Sequence, residues 1–145
     1  FHAAFVRPDG LGLFDRIFPD GSPDHAIRPN QVLAAAVLGE RLDPEVARAV
    51  LALSTDRLLT PYGLRTLDPV DPDFRPRYEG DGRARDAAYH QGTVWPWLIG
   101  AHVDLARRVH GTGFDPSPLL AGLVEHLGDA GIDGISEVFD GAAPH

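Results

Sequence analysis

The chain has neither cysteine nor methionine among its 145 residues. Without cysteine there is no disulfide, no thiolate nucleophile and no cysteine-ligated metal, although this says little about compartment. Positive charge is scarce: 13 Lys and Arg against 21 Asp and Glu leave a formal net charge of -8. Binding to nucleic acid or anionic lipid needs clustered cations to displace counterions, so both are disfavoured and a neutral or cationic partner fits better. No apolar run approaches the roughly 20 residues of a bilayer-spanning helix, so membrane insertion is not expected. No basic-then-apolar start marks a signal peptide, which leaves the cytoplasm as the default setting.

What is present is ordinary for a folded domain: 43% hydrophobic and 23% charged residues, in a chain long enough to bury a core. The chain starts at Phe1 rather than at a methionine, and Gly141–His145 offer no helical or strand ending. Both features suggest an excerpt of a longer protein.

Apolar spacing predicts four helices and a mainly α fold. The first opens at Pro29, with Val32, Leu33, Ala36 and Val37 on one stripe before Gly39. The second starts with Asp43 as N-cap and Pro44 just inside, and Val46, Val50 and Leu53 recur at helical spacing. Their short connection makes them an antiparallel hairpin. A third helix is expected from about Thr93 to Val109, with Trp95, Leu98, Ile99, His102, Val103 and Ala106 inward. A fourth follows Asp115-Pro116, presents Leu119, Leu120, Leu123, Val124 and Leu127, and stops by Gly131. The start of the chain, through Gly21, looks like the tail of an earlier element followed by a small hairpin around Gly12.

Two stretches break this helical plan. Residues 59–92 are rich in proline and glycine around a β-like run Tyr62–Leu67 and are too long for a mere connector. Residues 133–141 place Glu137 between apolar neighbours and glycines. Alternation would set Ile135, Glu137 and Phe139 on one side of an extended segment, and burial there would raise the carboxyl pKa toward neutrality, as proton abstraction from water requires. The plainer reading of Glu137 is a solvated loop glutamate.

The run Tyr89-His90-Gln91-Gly92-Thr93-Val94-Trp95-Pro96-Trp97 mixes flat rings with hydrogen-bonding groups. A pyranose has apolar C–H faces that stack on rings and a rim of hydroxyls that need fixed donors and acceptors. Trp95 and Trp97 as helix core and His90 as an ordinary loop histidine is the plainer alternative. Arg28, Asn30 and Gln31 gather at a helix N-terminus, where polar ligands can dock; alternatively, Arg28 pairs with Asp24 and Asn30 satisfies local backbone. Asp86 is close enough in sequence to orient the His90 imidazole. The histidines lack the i, i+4 spacing with a carboxylate that signals zinc, so neither a metal nor any other cofactor is expected.

Five ordered blocks, Gly21–Asp24, Ile27–Gln31, Thr60–Leu67, Arg85–Trp97 and Ile135–Gly141, resemble the amylo-α-1,6-glucosidase domain of glycogen debranching enzymes, from about residue 11 onward. The resemblance implies that residues 1–145 are the C-terminal portion of an (α/α)6 barrel, an α/α toroid of helical hairpins with long active-site loops. The upstream half and last helix would then be absent. It implies an inverting hydrolase of α-1,6 branch points in glycogen-like glucans, with Glu137 as the general base. Arg28, Asn30, Gln31, Arg65, Tyr89, His90, Gln91 and Trp95 would wall the sugar site. No segment resembles the family's general acid, an Asp in a Trp-containing stretch, so the chain alone would be inactive. Apolar helix faces normally covered by missing helices would make it self-associate. Two other readings compete: a non-catalytic glycan-binding or scaffold module, and an α/α-barrel hydrolase of another α-glycoside.

Overall fold

Proline and glycine decide where the helices begin and end. The computed structural model describes residues 1–129 and 133–145, and its elements are mainly helical with one small sheet. A single turn, α1 (His2–Phe5), leads into the small hairpin expected around Gly12, closed by the pairing of Val6 with Leu13. Helix α2 (Asn30–Leu38) follows Pro29, whose φ of -69° is already helical. It ends at Gly39, with φ of 51° in a region that side-chain-bearing residues avoid. A 3-10 turn, Gly39–Arg41, then connects to α3 (Pro44–Arg57). The Asp43 carboxylate accepts the Glu45 N–H at 2.7 Å, capping α3 as its sequence suggests.

The core lies where α2 meets α3 and α5 (Ile99–His110). Val32 and Ala35 of α2, Ala47, Val50 and Leu51 of α3, and Leu105 and Ala106 of α5 are buried together with Leu42, Leu58 and Leu64. Truncating Leu105 to alanine in such packing costs about 2–5 kcal/mol.

The stretch 59–92 holds more structure than its loop-like composition suggests. Strands β1 (Leu59–Thr60) and β2 (Gly63–Arg65) form an antiparallel hairpin with Leu59 opposite Leu64. Helix α4 (Gly82–Ala88) is capped by Asp81, which accepts the Ala84 N–H at 2.9 Å. It carries no apolar stripe, burying Ala88 alone, so periodicity could not reveal it.

The helix expected from Thr93 starts later. Val94–Trp95 form β3, pairing Leu64 with Trp95 and Arg65 with Val94, and a 3-10 turn at Pro96–Leu98 precedes α5. The cause is Pro96: the residue before a proline is pushed to extended conformation, and Trp95 sits at φ -116°, ψ 112°. The sheet closes tightly, because a Cβ on Gly63 would lie 2.6 Å from the Trp95 carbonyl oxygen. Helix α6 (Ser117–His126) packs beside α5. Leu123 is buried, Leu119 and Leu120 are half-buried, and Val124 stays 65% exposed, so only part of the expected apolar face is covered. The helix ends at His126, and Gly131, its expected limit, lies outside the described residues. No helix among the described residues is long and apolar enough to cross a membrane.

Candidate functional site

The segment carrying Glu137 is tied to the sheet downstream of that residue and to α6 upstream of it. Downstream, Phe139 pairs with Val94 through two backbone hydrogen bonds of 2.9 and 3.0 Å and stacks on Tyr62 with ring centroids 4.5 Å apart. Asp140 accepts from Arg77 Nη1 at 3.0 Å and from the Tyr78 N–H at 2.7 Å. The Gly141 carbonyl accepts from Arg65 Nε at 2.7 Å. Upstream, the Ser136 N–H donates to His126 Nε2 at 3.3 Å, and the Ser136 hydroxyl lies 3.0 Å from the same nitrogen. The approach to residues 90–92 is tight enough that a Cβ on Gly141 would sit 2.5 Å from the Gly92 carbonyl oxygen.

Within this harness the chain bends at Glu137, which breaks the expected alternation. Phe139 turns inward while Ile135 and Glu137 are exposed. Glu137 is therefore exposed rather than buried between its apolar neighbours. The Tyr89 hydroxyl donates to Glu137 Oε1 at 2.5 Å. That bond, followed by partial burial, raises the Tyr89 pKa above its ordinary 10.0, so the phenol remains a donor at neutral pH.

Tyr89 belongs to a ring cluster built at the C-terminal end of α4. Its ring lies 5.1 Å from His90 and 4.8 Å from Trp95, and His90 lies 4.9 Å from Trp95. The Trp95 indole N–H donates to the Tyr89 carbonyl at 3.0 Å, which fixes both residues. Trp95 is half-buried and Trp97 is 58% exposed, so neither is a plain core residue of a helix. Trp97 lines an apolar hollow of about 540 Å³ with Pro96, Ile99, Gly100, Leu123 and Ile135, and Ser136 and Glu137 complete its lining.

His90 lines a separate, polar pocket of about 330 Å³ with Asp15, Arg16, Asp24, Arg28, Asn30, Thr66 and Gln91, together with Pro29. Arg28 is locked there. Its Nη1 donates to the carbonyls of Thr66 at 3.1 Å and His90 at 2.6 Å, and its Nη2 to Gln91 Oε1 at 2.5 Å. The alternative pairing of Arg28 with Asp24 does not form: Asp24 takes Arg16 Nε at 2.9 Å, and the carboxylate nearest Arg28 is Asp15, 3.9 Å away.

The residues expected at a sugar wall thus fall at two recesses linked through the Tyr89, His90 and Trp95 rings rather than in one hollow. Arg28, Asn30, His90 and Gln91 line the polar recess; Glu137 lines the apolar one, and Tyr89 and Trp95 pack between. Two expected members turn inward. Gln31 is 3% exposed, donates to the Arg28 carbonyl at 3.4 Å and lies against Gly12. Arg65 spends its guanidinium on the carbonyls of Gly141, Arg57 and Leu59. Both shape the site without facing either recess. No hydrogen bond joins Asp86 to His90 among the described residues. Sequence reasoning missed Asp15 and Tyr62 as site-forming groups, and it noted Trp97 in the aromatic run without counting it in the sugar wall. The signal for Trp97 was Pro96, which delays the helix and turns the ring outward.

The family model described as amylo-alpha-1,6-glucosidase matches residues 1–145. The glycogen debranching enzyme of Saccharomyces cerevisiae is 35% identical over 115 residues, a match covering 74% of this chain and 7% of that protein.

Proposed function

The chain belongs to the amylo-α-1,6-glucosidase family, and from that premise we propose that it supplies one wall and the water-activating carboxylate of a glycoside hydrolase. The substrate is the α-1,6 branch point of a glycogen-like glucan, met by the parent protein in the cytoplasm. Glu137 acts as general base: it takes a proton from water as that water attacks C1, and the bond to the leaving oxygen breaks with inversion. The acid that protonates the leaving oxygen is an Asp elsewhere in the parent protein, roughly 6.5–9.5 Å from Glu137 as inverting geometry demands.

The observation that carries this reading is the presentation of Glu137. Its segment is tied down on both sides, one carboxylate oxygen is held by the Tyr89 hydroxyl, and the side chain faces out beside the rings of residues 89–97. Apolar sugar faces lie against Trp97 and the ring cluster, and hydroxyls reach His90, Gln91, Asn30 and Arg28. Arg65 and Gln31 hold the wall from behind. The α2–α3 and α5–α6 pairs are two sectors of an (α/α)6 barrel, and other sectors cover the exposed sides of Trp97 and Val124.

The test is Glu137→Gln in the full-length parent protein. Hydrolysis of branch points falls by about 10²–10⁴-fold, while glucan binding persists. Retained turnover removes Glu137 from the mechanism. Glucan binding without turnover in the unaltered parent would favour a glycan-binding module instead.

A further inference from the structure

Asp15 is the one carboxylate in the polar recess with an unspent oxygen. Its side chain is only 8% exposed. Oδ1 accepts from Asn30 Nδ2 at 2.7 Å, but Oδ2 has Arg28 Nε at 3.9 Å, beyond hydrogen-bond range. Arg28 cannot close that gap, because its two terminal nitrogens are held by Thr66, His90 and Gln91. Neighbouring Asp24 differs: Oδ2 takes Arg16 and Oδ1 takes the Ala26 N–H at 3.0 Å. Burial pushes the Asp15 pKa up, and the Asn30 and Arg28 contacts only partly offset that cost. Oδ2 of Asp15 opens on the recess with no hydrogen-bond partner from the protein, so a ligand group entering the recess can complete it.

The chemistry of that ligand follows from what is open. Oδ2 accepts, Arg28 Nε–H donates, and the gap between them is bridged by a group that can do both. A hydroxyl is such a group. Two aspartates and two arginines line the recess, so its formal charges cancel and neither an anion nor a cation is favoured.

We infer that the Asp15 Oδ2 and Arg28 Nε pair grips one hydroxyl of the terminal sugar, which makes Asp15 a specificity-determining residue for a neutral, polyhydroxylated ligand. The inference rests on the sugar-binding reading of the polar recess proposed above. Asp15→Asn is the sharp variant: it keeps an oxygen for Asn30 but turns an NH2 group toward Arg28, so the ligand hydroxyl loses the charged acceptor for its own proton.

The experiment measures binding of glucose and its monodeoxy derivatives to the full-length parent protein by calorimetry. In the unaltered protein, one monodeoxyglucose binds about ten- to hundredfold more weakly than glucose, as loss of a hydrogen bond to a charged group implies. In Asp15→Asn, glucose weakens by a similar factor and that one derivative is no longer discriminated, while the others keep their ratios. A purely structural role would weaken all ligands together. Equal binding of every derivative by the unaltered protein overturns the inference, as does a variant with unchanged ratios. Should Asp15→Asn fail to fold, Asp15→Ser gives the same comparison. Turnover of Glu137→Gln separates the two claims: if it persists while Asp15→Asn erases discrimination, the hydrolytic reading falls and the sugar contact stands. If turnover is lost and discrimination survives in Asp15→Asn, only the role of Asp15 falls.

Discussion

His102 makes the fold sensitive to acid. It sits on α5, 1% exposed, with its ring nitrogens 3.3 Å from Ser54 Oγ and 3.4 Å from Thr55 Oγ1. Those hydroxyls satisfy a neutral imidazole but offer no charge to an imidazolium. Burial accordingly lowers the His102 pKa from 6.5 to about 4. The folded value lies below the unfolded one, so the unfolded chain binds more protons between pH 6.5 and 4. The stability that His102 contributes is therefore intact above pH 6.5 and lost progressively as pH falls toward 4. At about 1.4 kcal/mol per pH unit between the two values, the full loss is about 3 kcal/mol, with about 2 kcal/mol gone by pH 5. Against a total stability on the order of 5–15 kcal/mol, that is a large fraction. Urea unfolding at pH 7 and pH 5 measures it, with His102→Gln as the uncharged reference that can still hydrogen-bond. The variant should lose about 2 kcal/mol less than the unaltered chain over that interval. Identical losses in both would refute the reasoning, because every other titrating group is common to the two.

Tyr89→Phe removes the hydroxyl that holds Glu137 while keeping the ring packed on His90 and Trp95. Turnover of the parent protein should fall by about tenfold with its melting temperature nearly unchanged, and undiminished turnover would show that the bond is idle. The isolated chain leaves Val37 at 85%, Val124 at 65% and Trp97 at 58% exposure. In sedimentation it should run as oligomers rather than at its monomer mass of 15.6 kDa; a monodisperse monomer would contradict the idea that these faces await helices.

Much of the helical frame was legible because its punctuation is local. Pro29, Gly39, Asp43 and Pro44 act through backbone conformation and capping over a few residues, and the helices end where those residues require. The ring cluster was legible as a cluster because Tyr89, His90 and Trp95 lie close together in one short run of sequence. What stayed hidden depends on distant partners. β3 forms because Gly63 lets β2 come close to Trp95, a contact between segments some thirty residues apart. The bend at Glu137 is imposed by His126, Val94 and Arg65, none of them near it in sequence. Asp15 carried no signal in the sequence, since its importance arises only when Asn30 and the locked guanidinium of Arg28 are brought beside it. Charge pairing misled for the same reason: Asp24 is nearer to Arg28 along the chain, yet Arg16 reaches it first across the hairpin.

The most direct test of Glu137 as the residue that activates water is chemical rescue. Glu137→Gly in the full-length parent protein should be nearly inactive on a branched glucan, and added azide should restore cleavage by entering the vacated space and attacking C1 opposite the departing oxygen. The product should be β-glucosyl azide, identified by nuclear magnetic resonance. Undiminished hydrolysis by the glycine variant, or a variant that azide cannot revive in any concentration the fold tolerates, would contradict the assignment.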